Sequence, residues 1–268
     1  MGAAGLAVLL TAISLVGASA AAAATTVYQN EPGVLPGNVP SLGFEASSTS
    51  EYGGAISLAG TARKAVNLRF GLSSWGCTSG TWNGGDCLRV PGFMKFPVTF
   101  TARIYSVGPG DAPGSVLAQA TKTIDVPYRP SANHKMCTGA NAGKWYQSTT
   151  ATCFNGKLVR RSIYFGKQTL PDDVIVSLAY DTTHYGYNPI GESAPCYTED
   201  GGCGYDSLNV ALVGDAPTIG SQPNPDDGWL NSSSGGAYCD GGSGGAGTFR
   251  LDAGCWTGYQ PMLRLNAR

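Results

Sequence analysis

Charge is scarce in this chain. Lys, Arg, Asp and Glu together make up 13% of its 268 residues, the formal net charge is −1, and only two histidines occur. A nucleic-acid-binding domain normally shows a basic stripe or patch, and none is visible along the sequence, so no nucleic-acid partner is expected. Glu and Lys, which favour helices, are few beside Thr, Ser and Gly, and no long segment carries a helical period of apolar residues. That argues against a helical bundle. After residue 24 no apolar run is long enough to span a bilayer, which takes about 18 strongly apolar residues or more.

The longest apolar stretch, Leu6 to Val16, has the length of a signal-peptide core, and small-x-small sites follow at Ala18-Ser19-Ala20 and Ala22-Ala23-Ala24. Residues 1–24 therefore read as a secretory signal, although no Lys or Arg precedes the apolar run. The expected mature chain, residues 25–268, is long enough for one large β domain with its own core. Its expected location is secreted and extracellular.

Cysteine, by contrast, is plentiful and ordered. Eight residues fall in four close pairs: Cys77 and Cys87, Cys137 and Cys153, Cys196 and Cys203, Cys239 and Cys255. An even count in an exported chain predicts a disulfide framework, with pairing inside each loop as the simplest arrangement. Zinc binding is the competing reading, but it needs reduced thiolates at tighter spacing.

Apolar and polar residues alternate with period two in several segments. Val66, Leu68, Phe70 and Leu72 share one face against Asn67 and Arg69. Val98, Phe100, Ala102 and Ile104 share another, with Thr99, Thr101, Arg103 and Tyr105 outward. Val174, Val176 and Leu178, then Leu208, Val210 and Leu212, then Leu263 and Leu265 extend the series. Ala55–Leu58, Ser115–Val126 and Arg161–Gly166 are weaker strand candidates. Turns at Gly108-Pro109-Gly110-Asp111, Pro171-Asp172-Asp173 and Gly214-Asp215-Ala216-Pro217 separate them. The pattern predicts an all-β fold, an antiparallel β-sandwich of jelly-roll-like form, with long disulfide-stapled loops. The long irregular stretches are 75–96, 127–158, 184–206 and 217–257, each holding one cysteine pair.

Aromatics accompany these cysteines: Trp75 and Trp82, Trp145 and Tyr146, Tyr197 and Tyr205, then Tyr238, Trp256 and Tyr259. Asp181 opens a run that includes His184, Tyr185 and Tyr187. A flat ring with a polar rim suits the apolar face of a sugar, and neighbouring Asp or Asn suits its hydroxyls. Trp82, Trp145, Tyr185, Tyr187, Asp181 and Trp256 are thus the candidate ligand-binding residues. For any single ring the alternative is packing against a disulfide inside the fold.

Catalytic signals are weaker. Gly241-Gly242-Ser243-Gly244-Gly245 fits G-x-S-x-G and resembles the G-D-S-G-G of chymotrypsin-like serine proteases, and His134, Asp181 and Ser243 have that family's triad order. Gly242 stands where the family has Asp, and His134 lies two residues too far from Cys137, so a glycine-rich loop tip is the plainer reading. Glu45, Glu51, Glu192, Glu199, Asp181 and Asp206 are the acids from which a glycosidase pair would be drawn. No cofactor is implied. Asn224-Pro225-Asp226-Asp227-Gly228 and Thr198-Glu199-Asp200-Gly201 leave room for a structural calcium, though Asx turns explain both.

The string Leu35-Pro36-Gly37-Asn38-Val39-Pro40-Ser41-Leu42-Gly43-Phe44-Glu45-Ala46, followed by Thr49-Ser50-Glu51-Tyr52-Gly53 and Ser73-Ser74-Trp75, resembles the mature start of a group of uncharacterised secreted bacterial β-rich proteins. The resemblance covers roughly residues 27–125 and implies an exported β domain without implying an activity. The leading expectation is a noncatalytic binding module whose partner is a polysaccharide or cell-surface glycan. An extracellular hydrolase, or a structural surface or matrix protein, are the alternatives.

Local pairing of the cysteines has a direct consequence. Reduction is expected to accelerate protease nicking at Gly241–Gly247 while sheet circular dichroism persists, and simultaneous loss of both would contradict the local framework.

Overall fold

The computed structural model describes residues 1–2, 23–44, 47, 49–82, 84–92, 94–181, 208–232, 248–254 and 256–268. Most of the expected signal, Glu45, Tyr185, Tyr187, Glu192, Glu199, Asp206, Ser243 and the cysteines at 196, 203, 239 and 255 lie outside these residues.

Among the described residues fifteen strands form. They are β1 (Thr25–Gln29), β2 (Ser41–Leu42), β3 (Thr49–Ser57), β4 (Ala65–Ser74), β5 (Lys95–Val107), β6 (Pro113–Pro127), β7 (Trp145–Gln147) and β8 (Thr152–Phe154). The rest are β9 (Lys157–Tyr164), β10 (Asp173–Ala179), β11 (Leu208–Val213), β12 (Gly228–Ser232), β13 (Arg250–Asp252), β14 (Gln260–Pro261) and β15 (Leu263–Ala267). The larger sheet runs β1-β15-β4-β11-β14, with β9 on the far edge of β4 and β2 beside β11. The second sheet runs β13-β12-β3-β10-β5-β6, and β7-β8 make a separate two-stranded ribbon. The pairings in all three sheets are antiparallel.

The alternation explains the layers. Leu68, Phe70 and Leu72 of β4 and Leu263 and Leu265 of β15 face inward from the larger sheet. Val98, Phe100, Ala102 and Ile104 of β5 and Val174, Val176 and Leu178 of β10 meet them from the second. A file of rings crosses between the sheets. Phe44 stacks on Tyr180 at 4.1 Å, Tyr180 tilts against Phe100 at 5.1 Å, and Phe100 meets Phe70 at 5.3 Å. Such pairs add to the burial of each ring's apolar area. Tyr105 points outward as its position in the alternation requires, yet it is buried, because Phe249 stacks over it at 5.1 Å.

The β5–β6 ribbon turns at Gly108–Asp111. Gly110 (φ +64°) takes the left-handed conformation there, which costs a residue without Cβ little. At the open edge between the sheets, the Arg161 Nε donates to the Asp125 carbonyl of β6 at 2.9 Å. Cys77 bonds Cys87 and Cys137 bonds Cys153, so both described pairs are local, as expected. The two stapled loops pack together: Ala132 N–H donates to the Cys87 carbonyl, and Arg129 N–H to that of Gly76, both at 2.9 Å.

Burial, with the Glu51 carboxylate as a lesser cause, pushes the Tyr105 phenol up to about 12, and burial raises Tyr28 and Tyr52 as well. An unfolded chain releases these protons near pH 10 while the folded one keeps them, so stability falls as pH rises above about 10. Arg129 acts in the opposite sense, since burial lowers it to about 10 and the cost of its charge is relieved above that pH. Three phenols outweigh one guanidinium. Phenolate absorbance from these rings, isolated with Tyr28→Phe, Tyr52→Phe and Tyr105→Phe variants, is expected to appear together with loss of sheet signal. Its appearance in a still-folded protein would contradict their burial.

Candidate functional site

The outer surface of the larger sheet carries a polar face across β9, β4, β15 and β1. Register places Tyr164, Asn67, Asn266 and Thr26 in one cross-strand row, and Ser162, Arg69 and Arg264 in the next. Arg160 stands opposite Gly71 in the row beyond. Residues two apart on a strand share a face, which is why these polar positions emerge together while Leu68, Phe70 and Ile163 go inside. The first row is wired side chain to side chain. Thr26 Oγ1 donates to Asn266 Oδ1 at 2.9 Å, and Asn266 Nδ2 donates to Asn67 Oδ1 at 3.1 Å. Arg264 Nε joins at 3.0 Å from Thr26 Oγ1. Tyr164 ends the row with 65% of its surface exposed. Four strands at ordinary spacing make a platform about 15 Å wide.

One edge of this face is closed by the segment that follows β1. Leu35 and Val39 pack on Leu158, Ala211, Val213 and Met262. A Cβ at Gly37 would collide with the Phe154 ring, so the close approach requires glycine there. The Pro-Gly lead-in therefore covers part of the outer face and leaves the rest open. Glu31 sits at the boundary, 3% exposed. Arg69 grips it with two nitrogens, Nε at 3.1 Å from Oε2 and Nη2 on Oε1. Arg160 Nη1 lies 3.4 Å from Oε2 and Arg264 Nη1 3.9 Å from Oε1. Three guanidinium groups thus converge on one carboxylate, each side chain still about one-third open to solvent at 29%, 34% and 33%.

The second sheet's outer face is closed over β12, β3 and β10, while along the β5–β6 ribbon it stays open, with Thr99–Thr123 and Thr101–Thr121 pairs exposed. Ala55, Tyr105, Ile175 and Trp229 form a buried cluster there, covered by Phe249 and Leu251. Glu51 is fixed beneath it. Its Oε1 accepts from Tyr105 Oη at 2.8 Å and Ser177 Oγ at 2.5 Å, and its Oε2 accepts from Arg103 Nη1 at 2.8 Å.

The ring residues expected from sequence are dispersed. Trp145 is buried, with Nε1 donating to the Gly156 carbonyl at 2.7 Å and the Lys157 ammonium over its ring. Trp256 is also buried, tilted against Tyr52, and its Nε1 donates to Asp252 Oδ2 at 2.9 Å. Both indoles fill the interior rather than a ligand surface, because each has an apolar neighbour for its body and an acceptor for its N–H. Trp82 is half-buried and meets Trp75 edge-on at 4.7 Å. Asp181 is exposed just past β10. Arg129 is fully buried between the stapled loops; its Nη2 donates to the Gly143 carbonyl at 2.7 Å, and its Nη1 meets no acceptor among the described residues.

At the calcium candidate, Asp227 Oδ1 accepts from Gly254 N–H at 2.8 Å, and Asn224 Nδ2 lies 3.3 Å from Asp227 Oδ2 and 3.0 Å from Asp111 Oδ2. Among the described residues no cluster of three His, Cys, Asp or Glu side chains could hold a metal ion. A cleft of about 470 Å³ lies beside Val213, Pro217, Gly220, Gln222 and Pro225, with walls mainly of glycine, proline and alanine. Compared with protein-family models, curated proteins and solved structures, the chain matches none.

Sequence reasoning missed Glu31, Arg160, Arg264 and Tyr164. The available signal was the outward half of each alternating strand, which had already set Asn67 and Arg69 apart from the core.

The two kinds of ring should respond differently to truncation. Trp145→Ala and Trp256→Ala are each expected to lose about 3–5 kcal/mol in urea unfolding. Tyr164→Ala should stay within about 0.5 kcal/mol of the parent. A large loss at Tyr164 would mean that this ring is structural.

Proposed function

We propose that the protein is a secreted, noncatalytic carbohydrate-binding module whose binding surface is the open polar face of the larger sheet. The observation that carries this reading is the exposed Tyr164 ring at the end of the Asn67–Asn266–Thr26 ladder. A phenol offers an apolar face to sugar C–H groups and a hydroxyl at its edge, while amides offer both donors and acceptors to sugar hydroxyls. Strands hold these groups in place before the ligand arrives, which lowers the ordering cost of binding. The two disulfides fit an oxidising exterior. Glu51, one of the candidate acids, has both carboxylate oxygens engaged by Tyr105, Ser177 and Arg103, which suits a structural role better than acid–base catalysis.

Retention of the purified oxidised protein on a panel of insoluble polysaccharides tests this. The parent is expected to be retained by at least one of them, and Tyr164→Ala and Asn67→Ala to weaken retention roughly tenfold each, the loss of one stacking or hydrogen-bond contact. Failure of the parent to bind any polysaccharide would replace this reading with a structural surface role.

A further inference from the structure

Resting on the carbohydrate-binding reading of the same face, we infer that its ligand is an acidic polysaccharide, and that Arg160 and Arg264 contact the ligand's anionic groups. Arg69, Arg160 and Arg264 bring three positive charges to one negative charge on Glu31. No second carboxylate is paired with them among the described residues. The excess is local, since the whole chain is near neutral at −1. The cluster therefore reflects segregation of charge, not an overall basic composition.

The three arginines are not equivalent. Arg69 binds Glu31 through two nitrogens, and its charge is spent there. Arg160 and Arg264 approach the same carboxylate only at 3.4 Å and 3.9 Å, loose contacts that leave donors for another partner. A planar guanidinium matches a carboxylate or sulfate with two parallel hydrogen bonds. Glu31 holds the guanidinium groups side by side, which a cluster of three like charges would otherwise resist. The amide ladder adjoins the row of Arg264, and Arg160 stands one row further on, four residues from Tyr164 on β9, so one chain lying obliquely across the strands would meet the phenol, the amides and the cations together.

A nucleic acid would also bring anions, but the observations favour a glycan. Phosphate-backbone binding typically uses about six to ten cationic contacts, and here two cations are left to engage a ligand. The neighbouring amides suit a hydroxyl-rich polymer better than a phosphate ladder.

Affinity electrophoresis and calorimetry with four probes test the inference: polygalacturonate for carboxylate, heparin for sulfate, dextran as a neutral glycan, and duplex DNA. The expected result is binding to polygalacturonate, heparin or both, with the stronger of the two identifying the anionic group. Raising NaCl from about 50 to 500 mM should weaken that binding by about tenfold or more. Arg160→Gln and Arg264→Gln should each weaken it about fivefold to tenfold with unchanged circular dichroism, and Arg160→Gln is the cleaner variant because Arg264 Nε also donates to Thr26 Oγ1. Arg69→Gln is not used, because it would uncover the buried Glu31. Binding to dextran that matches binding to the acidic glycans, with both glutamine variants unaffected, would overturn this inference and leave the carbohydrate reading standing. Absence of binding to every glycan would overturn both. Equal binding to duplex DNA with the same loss in the variants would also overturn it, reducing the patch to an unselective cation site.

Discussion

The file of rings from Phe44 through Tyr180 and Phe100 to Phe70 holds the two sheets at a fixed separation, and the remaining structure depends on that spacing. Phe70 lies on β4, the strand that β9, β15 and β11 all join. With β4 pinned from inside by its even-numbered residues, its odd-numbered residues Asn67 and Arg69 must present themselves outside. The polar face is thus the reverse side of the core, and the placing of its side chains follows from the packing beneath it.

Each outer face is covered over its apolar portion and open elsewhere. On the second sheet, Trp229 and Tyr105 draw Phe249 and Leu251 over themselves, and Glu51 is sealed under that cover with all its partners supplied. On the larger sheet, the lead-in covers only the apolar portion made by Leu158, Ala211, Val213 and Met262. It stops where the surface turns polar. Glu31 marks that boundary, anchoring the chain to the arginines while the amide row beyond remains open.

Much of this was legible from sequence. The period-two segments became strands with the expected inward faces, except that Ala65 rather than Val66 enters the core at the start of β4; the Gly108–Asp111 turn fell where Pro and Gly put it, and the Cys77–Cys87 and Cys137–Cys153 pairs closed locally. The site was harder to see for a physical reason. A tryptophan beside a cysteine has the same sequence signature whether its loop folds inward or outward. Trp145 and Trp256 both fold inward because backbone and carboxylate acceptors await their N–H groups. The arginine cluster was invisible because antiparallel pairing brings together Arg69, Arg160 and Arg264 from strands far apart in the chain.

The pairing of β1 with β15 has a further consequence, for the order in which the protein can be completed. β15 is the last strand, and it lies between the first strand and β4. Until it arrives, β1 has no sheet edge to join, and the row from Asn67 to Thr26 lacks the Asn266 that links them. Contacts so distant along the chain form late, because the entropy of closing a long loop must be met first. A chain whose β15 is not yet in place therefore cannot assemble the polar face, and loss of β15 removes the Asn266 link and the sheet closure in the same stroke.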